Sequence, residues 1–113
     1  MARLIWTEPA LLVLDEIAEY IALDNVAAAK KLVQTIFKKT ERLELHPLSG
    51  RNPPELKPSN YREIIVGPCR VFYRIVADDI YIIYIMRSEH QLRTYLLDER
   101  KTSMNHGKNQ EEF

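Results

Sequence analysis

Residues 61–86 read YREIIVGPCRVFYRIVADDIYIIYIM and determine the fold class of the chain. They contain three runs rich in β-branched and aromatic residues, separated by two short turns. The runs are 61–66, 69–76 and 80–86. Such short turns connect neighbouring antiparallel strands, so the stretch predicts a three-stranded meander. The last run is apolar on both faces, which predicts a central or covered strand, because an exposed edge of this kind promotes aggregation.

The residues before this stretch predict one strand and one helix. Residues 3–6 form a short apolar run, after which Thr7 can cap a helix and Pro9 can stand in its first turn. Within the helix, apolar side chains recur at a spacing of three and four residues and share one face. They are Leu14, Ile17, Ala18 and Ile21. We expect this helix to end near Leu23.

A second helix follows, with Asp24 or Asn25 as its cap. Its apolar stripe consists of Ala29, Leu32, Val33, Ile36 and Leu43. Residues 46–60 are rich in turn formers and predict a loop. The order predicts an α+β fold with an N-terminal strand, a helical hairpin and an antiparallel meander, the helices packed on one face of the sheet.

The chain of 113 residues, 46% hydrophobic and 28% charged, is typical of one soluble globular domain. We expect residues 1–98 to form it, with a short helix at 91–98 and a polar, flexible tail at 99–113. The single cysteine, Cys69, is predicted to be a buried structural thiol. The sequence shows no metal-ligand spacing, cofactor motif, leader or membrane-length run, so we expect a cytoplasmic protein without metal, cofactor or membrane partner.

The net charge of zero conceals an uneven distribution along the chain. Residues 25–76 hold ten Lys and Arg against four Asp and Glu, a local excess of six positive charges. Such a segment either faces an anionic partner or forms a solvated surface balanced by acidic neighbours in space. Both interpretations remain open at this point.

Four arginines and one histidine on or near the predicted strands are candidate functional residues. They are Arg62, Arg70, Arg74, Arg87 and His90. Side chains alternate along a strand, so Arg70 and Arg74 are expected on the same face. Arginines on a sheet can bind phosphates bidentately and a nearby histidine can transfer a proton, as in a metal-free RNase. The alternative is a set of salt-bridged surface arginines and an ordinary exposed histidine.

The order of elements, together with particular residues from Ile5 to about Leu97, resembles the RelE/ParE superfamily of toxins. The residues that carry the resemblance are the segments 6–10, 14–17, 27–29, 46–51, 61–64 and 67–74, together with Leu43. The resemblance implies a toxin of a type II toxin–antitoxin pair, neutralised by a cognate antitoxin that adds a helix or strand to its apolar grooves. A higher-order toxin–antitoxin assembly is a further expectation.

The superfamily has two kinds of activity. RelE-like members cleave messenger RNA on the ribosome with a basic residue set, to which Arg70, Arg87 and His90 would correspond here. The lysines expected on the preceding strand are absent, since Tyr61 and Glu63 lie there. A carboxylate at this position opposes phosphate binding, although in some RNase members a Glu serves as base.

ParE-like members bind DNA gyrase, stabilise its cleaved-DNA state and so halt replication. The segments 47–51, 61–63 and 67–70 are more similar to this branch, and the zero net charge agrees with it. The resemblance therefore implies a gyrase-inhibiting binding protein without catalytic residues. Its expected target-binding residues are Arg62, Arg70, Arg74, Arg87, His90 and Arg93. The nuclease, or an inactive or differently targeted relative, is the alternative.

Overall fold

The computed structural model describes residues 2–56 and 60–88. Its elements are β1 (Arg3–Trp6), α1 (Glu8–Ala22), α2 (Val26–Glu41), a 3-10 turn (Arg42–Glu44), β2 (Tyr61–Val66), β3 (Cys69–Val76) and β4 (Asp79–Arg87). The predicted order of strand, two helices and three strands is confirmed. The predicted helix at 91–98 and the predicted tail at 99–113 lie outside the described residues.

Both helices begin at the predicted side-chain caps. The Thr7 hydroxyl accepts a hydrogen bond from the amide of Ala10 at 3.4 Å and donates one to the carbonyl of Ile82 at 2.7 Å, which joins the start of α1 to the sheet. The Asn25 side chain accepts from the amide of Ala28 at 2.9 Å. Of the two residues considered, Asn25 is thus the cap of α2, and α1 ends one residue before Leu23.

The four strands form one mixed sheet in the order β1-β4-β3-β2. β2, β3 and β4 pair antiparallel, as predicted, and β1 lies parallel to β4. β4 therefore has a neighbour on each side, which explains how a strand with apolar residues on both faces is protected. The register between β3 and β4 shifts at Phe72 and Tyr73. As a result, the neighbouring side chains of Ile83 and Tyr84 both lie on the same face of the sheet.

The main core lies between the helices and one face of the sheet. Helix residues such as Leu14, Leu32 and Ile36 pack there against Val71 and Ile82 of the strands. Cys69 is fully buried in this core, in agreement with its predicted structural role. We call this surface of the sheet the helix face. The opposite surface, the far face, carries a smaller cluster formed by Phe72, Ile83 and Met86.

Two tight turns join the meander strands, and each has a residue with positive φ. Gly67 has φ 55° in the β2–β3 turn, and Ala77 has φ 56° in the β3–β4 turn. Two-residue hairpins favour this left-handed backbone, which glycine adopts freely and alanine adopts at a cost. No helix within residues 2–56 and 60–88 is long and apolar enough to cross a membrane.

Candidate target-binding surface

Arg70 lies on the far face and is almost completely enclosed, with 7% of its surface exposed. Its Nε donates to Glu63 at 2.7 Å, while its two terminal nitrogens donate to both carboxylate oxygens of Glu55 at 3.0 and 2.9 Å. The guanidinium carbon stands 5.0 Å from the centre of the Phe72 ring. The hydrogen bonds that Arg70 donates to Glu55, followed by the one it donates to Glu63, raise the pKa of Arg70 against the opposing effect of burial.

Glu63 is the centre of this ion cluster. Its side chain has no exposed surface, and its second oxygen accepts from Nε of Arg51 at 2.7 Å. Arg51 and Glu63 also exchange two backbone hydrogen bonds, of 3.0 and 2.8 Å, at the outer edge of β2. We call Arg51, Glu55, Glu63 and Arg70 the ion cluster. It holds the segment 51–55 against the sheet, and its two positive charges are matched by two negative ones.

Arg74 is the second predicted arginine on the far face. It pairs across the sheet with Tyr61 of β2 and Tyr81 of β4, both of which pack against the Phe72 cluster. Its side chain is half-buried and forms no ion pair with any residue of 2–56 or 60–88. The expectation that Arg70 and Arg74 share a face is therefore correct, although of the two only Arg70 is paired with carboxylates of the described residues.

Arg62 lies on the helix face, where it pairs with Tyr73. Its Nη1 donates to the carbonyls of Gly50 at 2.6 Å and Leu48 at 3.3 Å. The Tyr73 hydroxyl donates to the carbonyl of Pro47 at 2.7 Å and accepts from the amide of Gly50 at 2.9 Å. Burial, the largest influence, raises the pKa of Tyr73 above its ordinary value. These two side chains clamp the segment 47–50 to the sheet.

Gly50 is required at this clamp because no other residue fits. A Cβ added there would lie 2.6 Å from the Tyr73 hydroxyl oxygen and 2.8 Å from the backbone oxygen of Glu63. The turn formers of the segment 46–50 were visible in the sequence, but their partners on β2 and β3 were not. The contributions of Tyr73, Glu55 and Arg51 were likewise missed, because no local pattern in the sequence indicates contacts between residues 12 to 26 positions apart.

Arg87 also lies away from Arg70. It pairs with Cys69 at the end of β4, and its guanidinium carbon is 4.9 Å from the centre of the Tyr20 ring of α1. The described arginines therefore divide between the two faces, with Arg70 and Arg74 on the far face and Arg62 and Arg87 on the helix face. His90 and Arg93 lie outside the described residues.

The site contains structural ion pairs and, on the far face, one arginine between two tyrosines. Within the described part of the chain, no group of three His, Cys, Asp or Glu side chains could hold a metal ion. The groove between α1 and α2 provides a second surface, with a volume of about 420 Å³. Apolar side chains provide most of its lining, namely Ala18, Ala22, Val26, Ala29 and Val33, and the remaining lining residues are Glu19, Lys30 and Gln34.

Comparison with known proteins identifies the family. Residues 4–95 match the family described as the ParE toxin of the type II toxin-antitoxin system parDE. The chain is 36% identical over 91 residues to the protein Y4kP of Sinorhizobium fredii, covering 79% of this chain and 91% of that protein. It is 31% identical over 93 residues to Toxin RelE2 of Caulobacter vibrioides, covering 82% and 99%.

A solved structure shows the same architecture. It belongs to the chromosomal ParDE system of P. aeruginosa and superposes with a TM-score of 0.65 at 27% identity, covering 77% of this chain and 96% of that one. The resemblance to the superfamily and the predicted fold class are confirmed. The chain belongs to the ParE toxin family of type II toxin–antitoxin systems, within the RelE/ParE superfamily.

Proposed function

We propose that this toxin acts by binding DNA gyrase and stabilising its cleaved-DNA state, with no catalytic residue of its own. The observation that carries this choice is the enclosure of Arg70 between Glu55 and Glu63. A nuclease needs cations that are open to an RNA phosphate, whereas this guanidinium already donates to two carboxylates. If the Arg70 guanidinium left Glu63 to bind RNA, the buried carboxylate of Glu63 would lose one of its two arginine partners.

The geometry of Arg87 also favours a binding protein over the RNase alternative. The nuclease set of Arg70, Arg87 and His90 requires all three side chains to reach one phosphodiester. Arg70 belongs to the far face and Arg87 to the helix face, beside Tyr20. With His90 outside the described residues, the two described members of the set point to different sides of the sheet.

Arg74 is the residue that we propose contacts the target on the far face. Its charge has no acidic partner among the described residues, and the flanking rings of Tyr61 and Tyr81 provide the amphipathic surroundings common at protein interfaces. Arg70 supports that surface by fixing the segment 51–55. Target contact remains a prediction for four residues, Arg62, Arg87, His90 and Arg93. Of these, Arg62 and Arg87 make their observed contacts on the helix face.

The cognate antitoxin, implied by membership of a toxin–antitoxin family, is the second partner. We propose that an amphipathic helix of the antitoxin occupies the apolar groove between α1 and α2. Exposed apolar side chains continue along this surface, since Leu23 is 86% exposed and Val26 57% exposed. A helix in such a groove buries its apolar face through contacts spaced by three and four residues.

A supercoiling assay with purified gyrase tests the proposed target. Wild-type toxin should inhibit supercoiling and accumulate cleaved DNA, and Arg74→Ala should need about tenfold more toxin for the same effect, a loss typical of an interface residue. Arg3→Ala is the matched control, because Arg3 is an exposed arginine on the edge strand β1, two strands away from Arg74. Cleavage of ribosome-bound messenger RNA at the same dose, with no effect on gyrase, would replace the proposal with the nuclease alternative.

A further inference from the structure

Half of the positive excess of residues 25–76 lies on α2 and the turn that follows it. The ion cluster neutralises Arg51 and Arg70 with the acidic residues Glu55 and Glu63. α2 and the 3-10 turn carry five basic residues against two acidic ones, Glu41 and Glu44. The five basic residues are Lys30, Lys31, Lys38, Lys39 and Arg42, all of them exposed.

A cleft between the end of α2 and the edge of β2 collects part of this charge. It has a volume of about 220 Å³ and is lined by Lys39, Arg42, His46 and Ser49, with an apolar floor formed by Leu43 and residues 64–66. We call it the basic cleft. No carboxylate belongs to its lining, and none of its four polar residues forms an ion pair with any described residue.

The apolar floor and the polar rim determine what the cleft can bind. A cation beside apolar surface interacts more strongly with an anion than it does in bulk water, because the local dielectric is lower. A lysine, a guanidinium and a serine hydroxyl together provide the donors that a phosphate accepts. The volume is below the roughly 300–1,000 Å³ of most small-molecule sites, which suits one phosphate group of a polymer better than a free cofactor.

The basic cleft is continuous with a line of cations along α2. Lys31, Lys38 and Arg42 are separated by seven and four residues, so they lie on one side of the helix. The line is about 17 Å long at the rise of a helix, a length over which one DNA strand carries about five phosphates. Because the net charge of the chain is zero, attraction to DNA has to come from this local surface and not from the field of the whole protein.

We infer that the basic cleft and the line of cations on α2 bind the phosphate backbone of duplex DNA. This inference deepens the proposed function, on which it rests for its role in the cell: the toxin would hold DNA as well as gyrase in the cleaved complex. Contacts to phosphates alone carry no base information, so the binding is independent of sequence and strongly dependent on salt.

Fluorescence anisotropy with a labelled 24-base-pair duplex tests the DNA contact directly. Wild-type toxin should bind at about 20 mM salt, and its affinity should fall with salt with a logarithmic slope of about −3, as expected for three to four phosphate contacts. Arg42→Glu should weaken binding at least tenfold. Lys30→Glu makes the same charge change on the same helix but faces the groove toward α1, and it should change the affinity less than twofold.

Three results of that titration would overturn the inference. They are no binding at 20 mM salt, full affinity of Arg42→Glu, and equal losses in Arg42→Glu and Lys30→Glu, since the last would indicate a diffuse field without a site. Tenfold tighter binding to a duplex RNA of the same sequence would also overturn the assignment to DNA. Unchanged thermal unfolding of both variants shows that the fold is preserved.

A gyrase experiment separates this inference from the proposed function. Arg42→Glu should bind gyrase in the absence of DNA as wild type does, yet it should accumulate at least tenfold less cleaved DNA at the same dose. If wild-type toxin has no effect on gyrase, the proposed target is wrong while the DNA contact is still decided by the titration. If Arg42→Glu loses binding to gyrase without DNA, the basic cleft contacts protein and the inference is wrong.

Discussion

The two faces of the sheet are built by different physical means. The helix face is covered by α1 and α2 and buries a broad apolar core, in which even the hydroxyl of Tyr73 has two hydrogen-bond partners. The far face buries only a small apolar cluster and adds the ion cluster of Arg51, Glu55, Glu63 and Arg70. Apolar packing tolerates small losses, whereas a buried charge depends on every partner being present.

This difference suggests a division of roles between the faces. The apolar core of the helix face stabilises the fold through area removed from water, which does not depend on individual partners. The ion cluster of the far face mainly fixes where the segment 51–55 lies beside β2, since both Arg51 and Glu55 belong to that segment. Loss of the cluster should therefore disturb the surface that carries Arg74 in addition to lowering stability.

Glu63→Ala should have the largest effect and tests the far face. It removes the buried partner of Arg70, so we expect the free energy of unfolding to fall by about 3–5 kcal/mol. The exposed pair of Arg3 and Asp79 is the matched control, and Arg3→Ala should cost less than about 1 kcal/mol. Urea unfolding followed by circular dichroism measures both.

A double variant sharpens the same prediction. Glu63→Leu with Arg70→Met replaces the two most deeply buried charges by apolar side chains and should recover part of the loss, because neither of them is left without the other, although Glu55 gives up its pair with Arg70. A cost below about 1 kcal/mol for Glu63→Ala alone would show that the ion cluster does not determine the stability of the far face.

Tyr73→Phe has an intermediate expected effect and tests the helix face. It deletes the hydroxyl that bonds Pro47 and Gly50, so we expect a loss of about 1–3 kcal/mol. The pKa of Tyr73 is raised by burial, so its contribution to stability is complete below the ordinary tyrosine pKa of 10.0 and is lost as pH rises through the folded value.

As the pH rises from neutral to above 10.0, the free energy of unfolding of Tyr73→Phe should therefore fall less than that of wild type. Thermal unfolding of both proteins across this range provides the comparison, in which the other tyrosines and the lysines cancel. Parallel pH profiles would contradict the role assigned to the Tyr73 hydroxyl.

Ala77→Gly has the smallest expected effect and the opposite sign. Ala77 adopts φ 56° in the β3–β4 turn, which lies between the two faces and belongs to neither. Glycine relieves the left-handed strain but increases the freedom of the unfolded chain, so we expect a gain of up to about 1 kcal/mol. Ala18→Gly, inside α1, should instead cost about 1 kcal/mol. A loss of stability in Ala77→Gly would show that the turn is unstrained.

The comparison of faces also indicates what the sequence could predict about the candidate site. The alternation of side chains along β3 was enough to place Arg70 and Arg74 on one face, because that periodicity is local. It could not show that Arg62 and Arg87 belong to the other face. Their positions follow from pairing with Tyr73 and Cys69, and strand register is a property of two segments and not of one.

The sequence by itself determined the elements from β1 to β4, their order and the cap of α1, and it limited the cap of α2 to Asp24 or Asn25, since hydrophobic periodicity and turn residues act over a few neighbouring positions. It also determined the family through motifs spread along 4–95. Only the tertiary structure decided which charges are compensated. Arg70 and Arg42 are both arginines in one basic segment, but Arg70 meets Glu55 and Glu63 across the fold while Arg42 meets no carboxylate among the described residues. The energy of a charge depends on its distance to other charges in space, and folding sets that distance.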